Sequence, residues 1–165
     1  MTIVFPKPGE ALIVRSDEAE VVALLQSSVK LLADSNANGG ALSTVQVSLS
    51  EGADGAKQHK HRNSAEMFYI LEGVVQILSG TNIVRAEMGD VIVVPPDLPH
   101  AFRAAPVSRA EILIVIAPGV ERFEYFRQIT RIAQGKQAPE SLRDVQELYD
   151  TYFLNNPEWE AEQKG

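Results

Sequence analysis

The sequence predicts an all-β fold, a sandwich or closed barrel, followed by α-helices. Three observations carry that prediction. Between Ala41 and Ala117, short apolar or alternating runs are separated by Gly, Pro, Asn and Asp, the punctuation of strands and turns. "ALSTVQVSLS" alternates with a period of two, which puts Ala41, Ser43, Val45, Val47 and Leu49 on one face. After "APG" the period lengthens to that of a helix.

Taken in order, residues 1–37 are expected to form an N-terminal extension of extra strands, with "ALIV" and "VKLLAD" read as strands and "EAEVVALLQ" fitting strand or helix. Residues 38–118 hold the β core. Its strands are expected at 41–50, 57–61, 66–71, 74–79, 83–86, 91–94, 100–104 and 110–117, with "LEGVVQ", "SGTN" and "EMGD" as turns. "AEILIVIA" is apolar on both parities apart from Glu111, so cover is expected on both of its sides. The need to cover that strand and the sheet edges predicts a homodimer. Residues 119–165 form a helical tail. Val120, Phe123, Phe126, Ile129 and Ile132 recur at helical spacing, with Gly135 as a stop. Leu142, Val145, Leu148, Tyr149 and Tyr152 suggest a second helix, opened by Ser141 with Asp144 as a capping pair.

Composition narrows the function. A chain of 165 residues supports one well-buried core, and hence a single domain. No apolar run is long enough to cross a bilayer, and "MTIVFPKPGE" has none of the features of a secretory signal, so a cytoplasmic location is expected, with no membrane partner. The absence of cysteine excludes disulfides, thiolate metal sites and cysteine nucleophiles. Acidic residues outnumber basic ones 22 to 15, for a net charge of −7, and no basic cluster gathers phosphates. Nucleic acid is not expected as a partner.

The chemistry concentrates in "HKHRNSAEMFYILEG". On a strand, His59 and His61 point to one side of the sheet, and "RNSA" turns the chain so that Glu66 can lie beside them. The third and last histidine, His100, follows "VIVVPPDLP". Neutral imidazole with carboxylate suits one divalent transition metal ion, namely Mn, Fe, Co, Ni, Cu or Zn. If Glu66 faces inward, parity turns Phe68 and Ile70 inward as well, and an inward His100 does the same for Phe102. These three residues are the candidate substrate pocket.

In these residues the chain resembles the cupins. Their first motif orders Gly, His-x-His, Glu and Gly, matched by His59, His61, Glu66 and Gly73, with Gly52 and Gly55 bracketing the place of the leading glycine. Their second orders Gly, Pro-x-Gly, His and Asn. Gly89, Pro95 and His100 match it, while Asp97 and Ala104 replace the second Gly and the Asn. The fifteen residues between Gly73 and Gly89 are similar to the short spacer of single-domain microbial cupins. The resemblance implies a jelly roll, or double-stranded β-helix barrel, with His59, His61, Glu66 and His100 holding the metal.

The layout, with "PGVERFEYFRQI" and "LYDTYFLNNPEW" after the barrel, also resembles the single-cupin quercetinase-like flavonol dioxygenases. That resemblance implies a small enolisable aromatic substrate, dioxygen as co-substrate, and Glu66 as the catalytic residue that takes the substrate's proton. A cupin isomerase or lyase using the metal as a Lewis acid, and a non-catalytic small-molecule-binding cupin, stand beside it.

Overall fold

The computed structural model describes residues 7 and 9–162. Residues 1–6 and 8 of the expected extension, and 163–165 of the tail, lie outside the described residues. Ten strands form two sheets that share one long strand. In the first sheet β1 (Glu20–Ala23), β2 (Ser27–Ala33), β3 (Ser43–Leu49), β9 (Ala110–Ala117) and the first half of β5 (Ala65–Ser79) lie side by side, with β7 (Val91–Val94) on the far side of β5. In the second sheet, the other half of β5 pairs with β6 (Asn82–Glu87) and β8 (His100–Ala104), followed by β4 (His59–Lys60) and β10 (Tyr152–Phe153). All pairings are antiparallel. The result is a jelly-roll barrel.

Alternation places the core. Ser43, Val45, Val47 and Leu49 are buried along β3 while the residues between them are not. Phe68 and Ile70 of β5, Val75 and Ile77 further along it, and Ile112 of β9 are fully buried between the two sheets.

Three expectations are corrected. "LEGVVQ" is no turn: β5 runs through it, with a register irregularity between Ile70 and Glu72. Neighbouring strands supply hydrogen bonds on both sides of the bend, so no reversal is needed. Gly73 makes the bend possible, since its φ is +79° and a Cβ there would lie 1.8 Å from the Arg109 carbonyl oxygen. "ALIV" forms no strand, and Ile13 is 66% exposed, so the segment lacks a face to bury. "EAEVVALLQ" and "VKLLAD" resolve into β1 and β2. β9 alternates buried and half-buried residues, so its outer side is only partly covered.

The tail divides in the same way. α1 (Phe123–Ala133) forms as expected and stops at Gly135, whose φ is +72°. Its first turn is capped from across the chain: the Asp34 carboxylate accepts the backbone N–H of Arg122 at 2.8 Å and of Phe123 at 3.2 Å. The second expected helix is corrected to a 3-10 stretch, Pro139–Val145, that leads into β10. Asp150, in the left-handed region at φ +47°, turns the chain so that Tyr152 and Phe153 pair with Lys60 and His59. Ser141 does not cap, because its hydroxyl donates back to the Ala138 carbonyl at 2.6 Å. A further short helix, α2 (Pro157–Glu162), buries Trp159 beneath the Arg103 guanidinium at 3.9 Å.

Candidate metal centre

The four candidate ligands come from three strands and a connecting turn. β4 carries His59, His61 follows it, Glu66 opens β5 and His100 opens β8. Cross-strand pairing sets His59 opposite His100. All four are buried, and one ligand atom from each lies within 4.8 Å of the others.

Each imidazole is oriented by a backbone carbonyl. His59 Nδ1 is 2.7 Å from Lys57 O, His100 Nδ1 is 2.9 Å from Leu98 O, and His61 Nδ1 is 2.6 Å from Asp150 O. A carbonyl only accepts, so each Nδ1 donates its hydrogen and each Nε2 carries a lone pair toward the centre. Two of these Nε2 atoms meet the same oxygen, Glu66 Oε2, at 2.6 Å for His100 and 2.9 Å for His61, while His59 Nε2 lies at 3.9 Å. Lone pairs directed at one another repel unless a cation or proton lies between them. The donor set therefore fits a divalent ion held by His59, His61, Glu66 and His100, with the carbonyls as the outer partners that fix the rings.

The titration of the metal-free cluster follows from the same contacts. Burial, and then the neighbouring His100, push His59 down to about 4. Burial opposes ionisation of Glu66, but the imidazoles, led by His61, outweigh it and hold the carboxyl well below its usual range. Burial also disfavours charge on His100, yet its short contact with Glu66 prevails and raises its pKa. Without metal, the cluster favours a shared charge between Glu66 and His100.

A cavity of about 480 Å³ opens from this cluster between the barrel and the tail. His59, Glu66 and Phe102 border it on the barrel side, and Tyr125, Phe126, Ile129 and Phe153 cover it. α1 thus lies across the barrel mouth, tied down by the Arg127 Nη2 to Glu20 Oε2 ion pair at 2.6 Å. Of the three pocket candidates, Phe102 lines this cavity. Phe68 and Ile70 are fully buried behind it, Phe68 packing edge-on against Phe102 at 5.3 Å. Parity assigns a residue to the barrel interior but not to its depth there.

Two residues contribute that were not read from the sequence. Asp150 orients His61 through its carbonyl, while its carboxylate accepts the N–H groups of Arg62 at 2.8 Å and Asn63 at 2.9 Å. Arg122 is buried at the cavity wall. The available signal was the Tyr/Asp-rich and Glu-Arg-Phe character of the tail, which has no period that would point either side chain at the barrel.

The cupin domain family model matches residues 45–116. No curated protein matches the sequence. Among solved structures, a predicted oxalate decarboxylase from Thermotoga maritima is 23% identical, with a TM-score of 0.57 over 64% of this chain and 98% of that one. KdgF from Halomonas sp. is 19% identical, with a TM-score of 0.57 over 66% and 94%. A Streptomyces Pac13 variant with uridine is 18% identical, with a TM-score of 0.56 over 68% and 86%; Pac13 is described as a nucleoside dehydratase. At these identities the likeness is one of fold, and the family match identifies residues 45–116 as a cupin domain.

Proposed function

We propose that this protein is a metal-dependent cupin dioxygenase acting on a small, enolisable aromatic molecule of the flavonol type. One observation carries the reading: three Nε2 atoms and Glu66 converge at the floor of an apolar cavity, with His59 and Glu66 bordering both cluster and cavity. Its volume of about 480 Å³ lies within the ~300–1,000 Å³ usual for small-molecule sites.

A divalent transition ion bound there supplies Lewis acidity and, if redox-active, electrons to dioxygen. The chain's own residues do the rest. Phe102, Phe126 and Phe153 form walls for a flat ring, and α1 keeps bulk water from the floor. Glu66 accepts the enol proton on a carboxylate oxygen, and the carbonyl-anchored histidines hold their rings still while it does so.

The Streptomyces neighbour favours a second reading, in which the same site runs a dehydration or isomerisation without oxygen. Metal analysis of protein purified without a histidine tag or chelator, followed by oxygen uptake with flavonols, separates the two. Stoichiometric metal that is lost in His59→Ala, with oxygen consumption that is lost in Glu66→Ala, supports the dioxygenase. Turnover that proceeds without oxygen supports the second reading, and a protein that takes up no divalent ion refutes both. The outer face of the first sheet presents Met67, Tyr69, Val91, Val93, Leu113 and Val115 in adjacent cross-strand registers, a surface suited to a homodimer. Light scattering that reports a monomer would refute that assignment.

A further inference from the structure

We propose that Arg122 anchors an acidic group of the substrate, so that the cavity selects aromatic molecules bearing a carboxylate over their neutral counterparts. The inference narrows the enolisable aromatics of the functional reading above to those that also bear an acid, and rests on that reading only in taking the cavity as the substrate site.

Arg122 is 6% exposed and borders the same cavity as His59 and Glu66. A buried guanidinium is costly unless an anion answers it. No carboxylate among the described residues lies within ion-pair distance of this one. Asp34, the acid beside it in the fold, spends both oxygens on the backbone N–H groups of Ser35, Arg122 and Phe123. Glu66 is engaged by the histidines.

The side chain is also held in place. Nη1 donates to Thr151 Oγ1 at 2.7 Å and to the Tyr149 carbonyl at 3.4 Å. The guanidinium carbon lies 4.1 Å from the Tyr125 ring centroid and 5.3 Å from that of Phe126. A planar fork fixed by a hydroxyl at one end and by aromatic faces alongside is preorganised for a carboxylate. Its charge also reaches the cluster, where it acts on His100. The other two cationic side chains bordering the cavity, Lys57 and Arg143, are exposed at its rim. A ligand with its acid on Arg122 thus directs its opposite end toward His59 and Glu66.

The test compares trans-cinnamate with trans-cinnamamide by calorimetry, on metal-loaded and on metal-stripped protein. The wild type is expected to bind the acid about 10–100-fold more tightly than the amide in both forms, the range of a charge-assisted hydrogen-bond pair. Arg122→Gln should abolish the preference without lowering metal content, and Arg122→Lys should keep part of it. A Lys57→Met/Arg143→Gln variant, which leaves the buried guanidinium and its contacts intact, should keep all of it. No preference in the wild type, a preference confined to metal-loaded protein, or one lost with Lys57 and Arg143 would overturn the proposal. Acid preference in a protein that takes up no metal would refute the dioxygenase reading and leave this one standing. Bound metal without acid preference would do the reverse.

Discussion

Protonation of His59 should make the metal-free protein labile to acid over a defined window. Burial and the neighbouring His100 lower this imidazole from 6.5 to about 4, so between those values an unfolded chain binds a proton there and the folded chain does not. The stability carried by neutral His59 is therefore whole above 6.5 and is lost as pH falls toward 4. Integrating over that shift gives a loss of about 2 kcal/mol by about pH 5 and about 3 kcal/mol by about pH 4. His100 acts above this window, and Glu66 overlaps only its acid end, below 4.5. His100, with its raised pKa, contributes stability that is complete below 6.5 and is lost as pH rises through its folded value. Glu66, with its lowered pKa, contributes stability that is present above 4.5 and is lost below it. Urea unfolding of metal-free protein at about pH 7.5, 6 and 5 isolates the effect when wild type is compared with His59→Gln, whose amide can still donate to Lys57 O. The variant should lose about 2 kcal/mol of the acid dependence. Equal pH dependence in the two proteins would refute the claim that His59 is buried and neutral.

Two further outcomes follow from the tail and the bend. Asp150→Asn keeps the left-handed backbone but leaves one acceptor oxygen for two N–H donors. It should cost about 1–3 kcal/mol of stability and, by loosening the carbonyl that holds His61, weaken metal binding about tenfold or more in chelator competition; unchanged affinity would make Asp150 purely structural. Gly73→Ala forces a Cβ to within 1.8 Å of the Arg109 carbonyl oxygen at positive φ, and should lower thermal stability by at least about 3 kcal/mol, or prevent folding. An unaltered melting temperature would mean that β5 does not bend there.

The ligand cluster was legible because its information is local. His59, His61 and Glu66 are separated by one turn, and strand periodicity alone turns the two imidazoles to one side. His100 needed the resemblance, since only cross-strand pairing brings it opposite His59. The β3 alternation was plain for the same reason as the histidine pair: a half-buried strand writes its period into the sequence. What was not legible depends on partners distant along the chain. β5 reads as two strands because Gly73 carries a turn signal, and only the Arg109 backbone reveals it as a bend. The segment after Ser141 has helical periodicity, yet Tyr152 and Phe153 pair better with β4 than with a helix of their own. Arg122 sits at the start of an amphipathic helix, where period assigns no face, and its burial arises from the docking of that helix over the barrel mouth.

The hydrogen bond from His61 to the Asp150 carbonyl spans 89 residues of sequence. A nascent chain that has emerged only as far as Phe102 already contains all four ligands, but His61 lacks the carbonyl that orients its Nδ1 and β4 has no β10 beside it. An ion held by this cluster in its final geometry would then have to wait for the segment around Asp150 to be synthesised and docked. Cleavage, or an inserted sequence, between Val145 and Phe153 would register at the ion before it registered in the barrel. Occupancy of such a centre would double as a readout of whether the far end of the protein has reached its place.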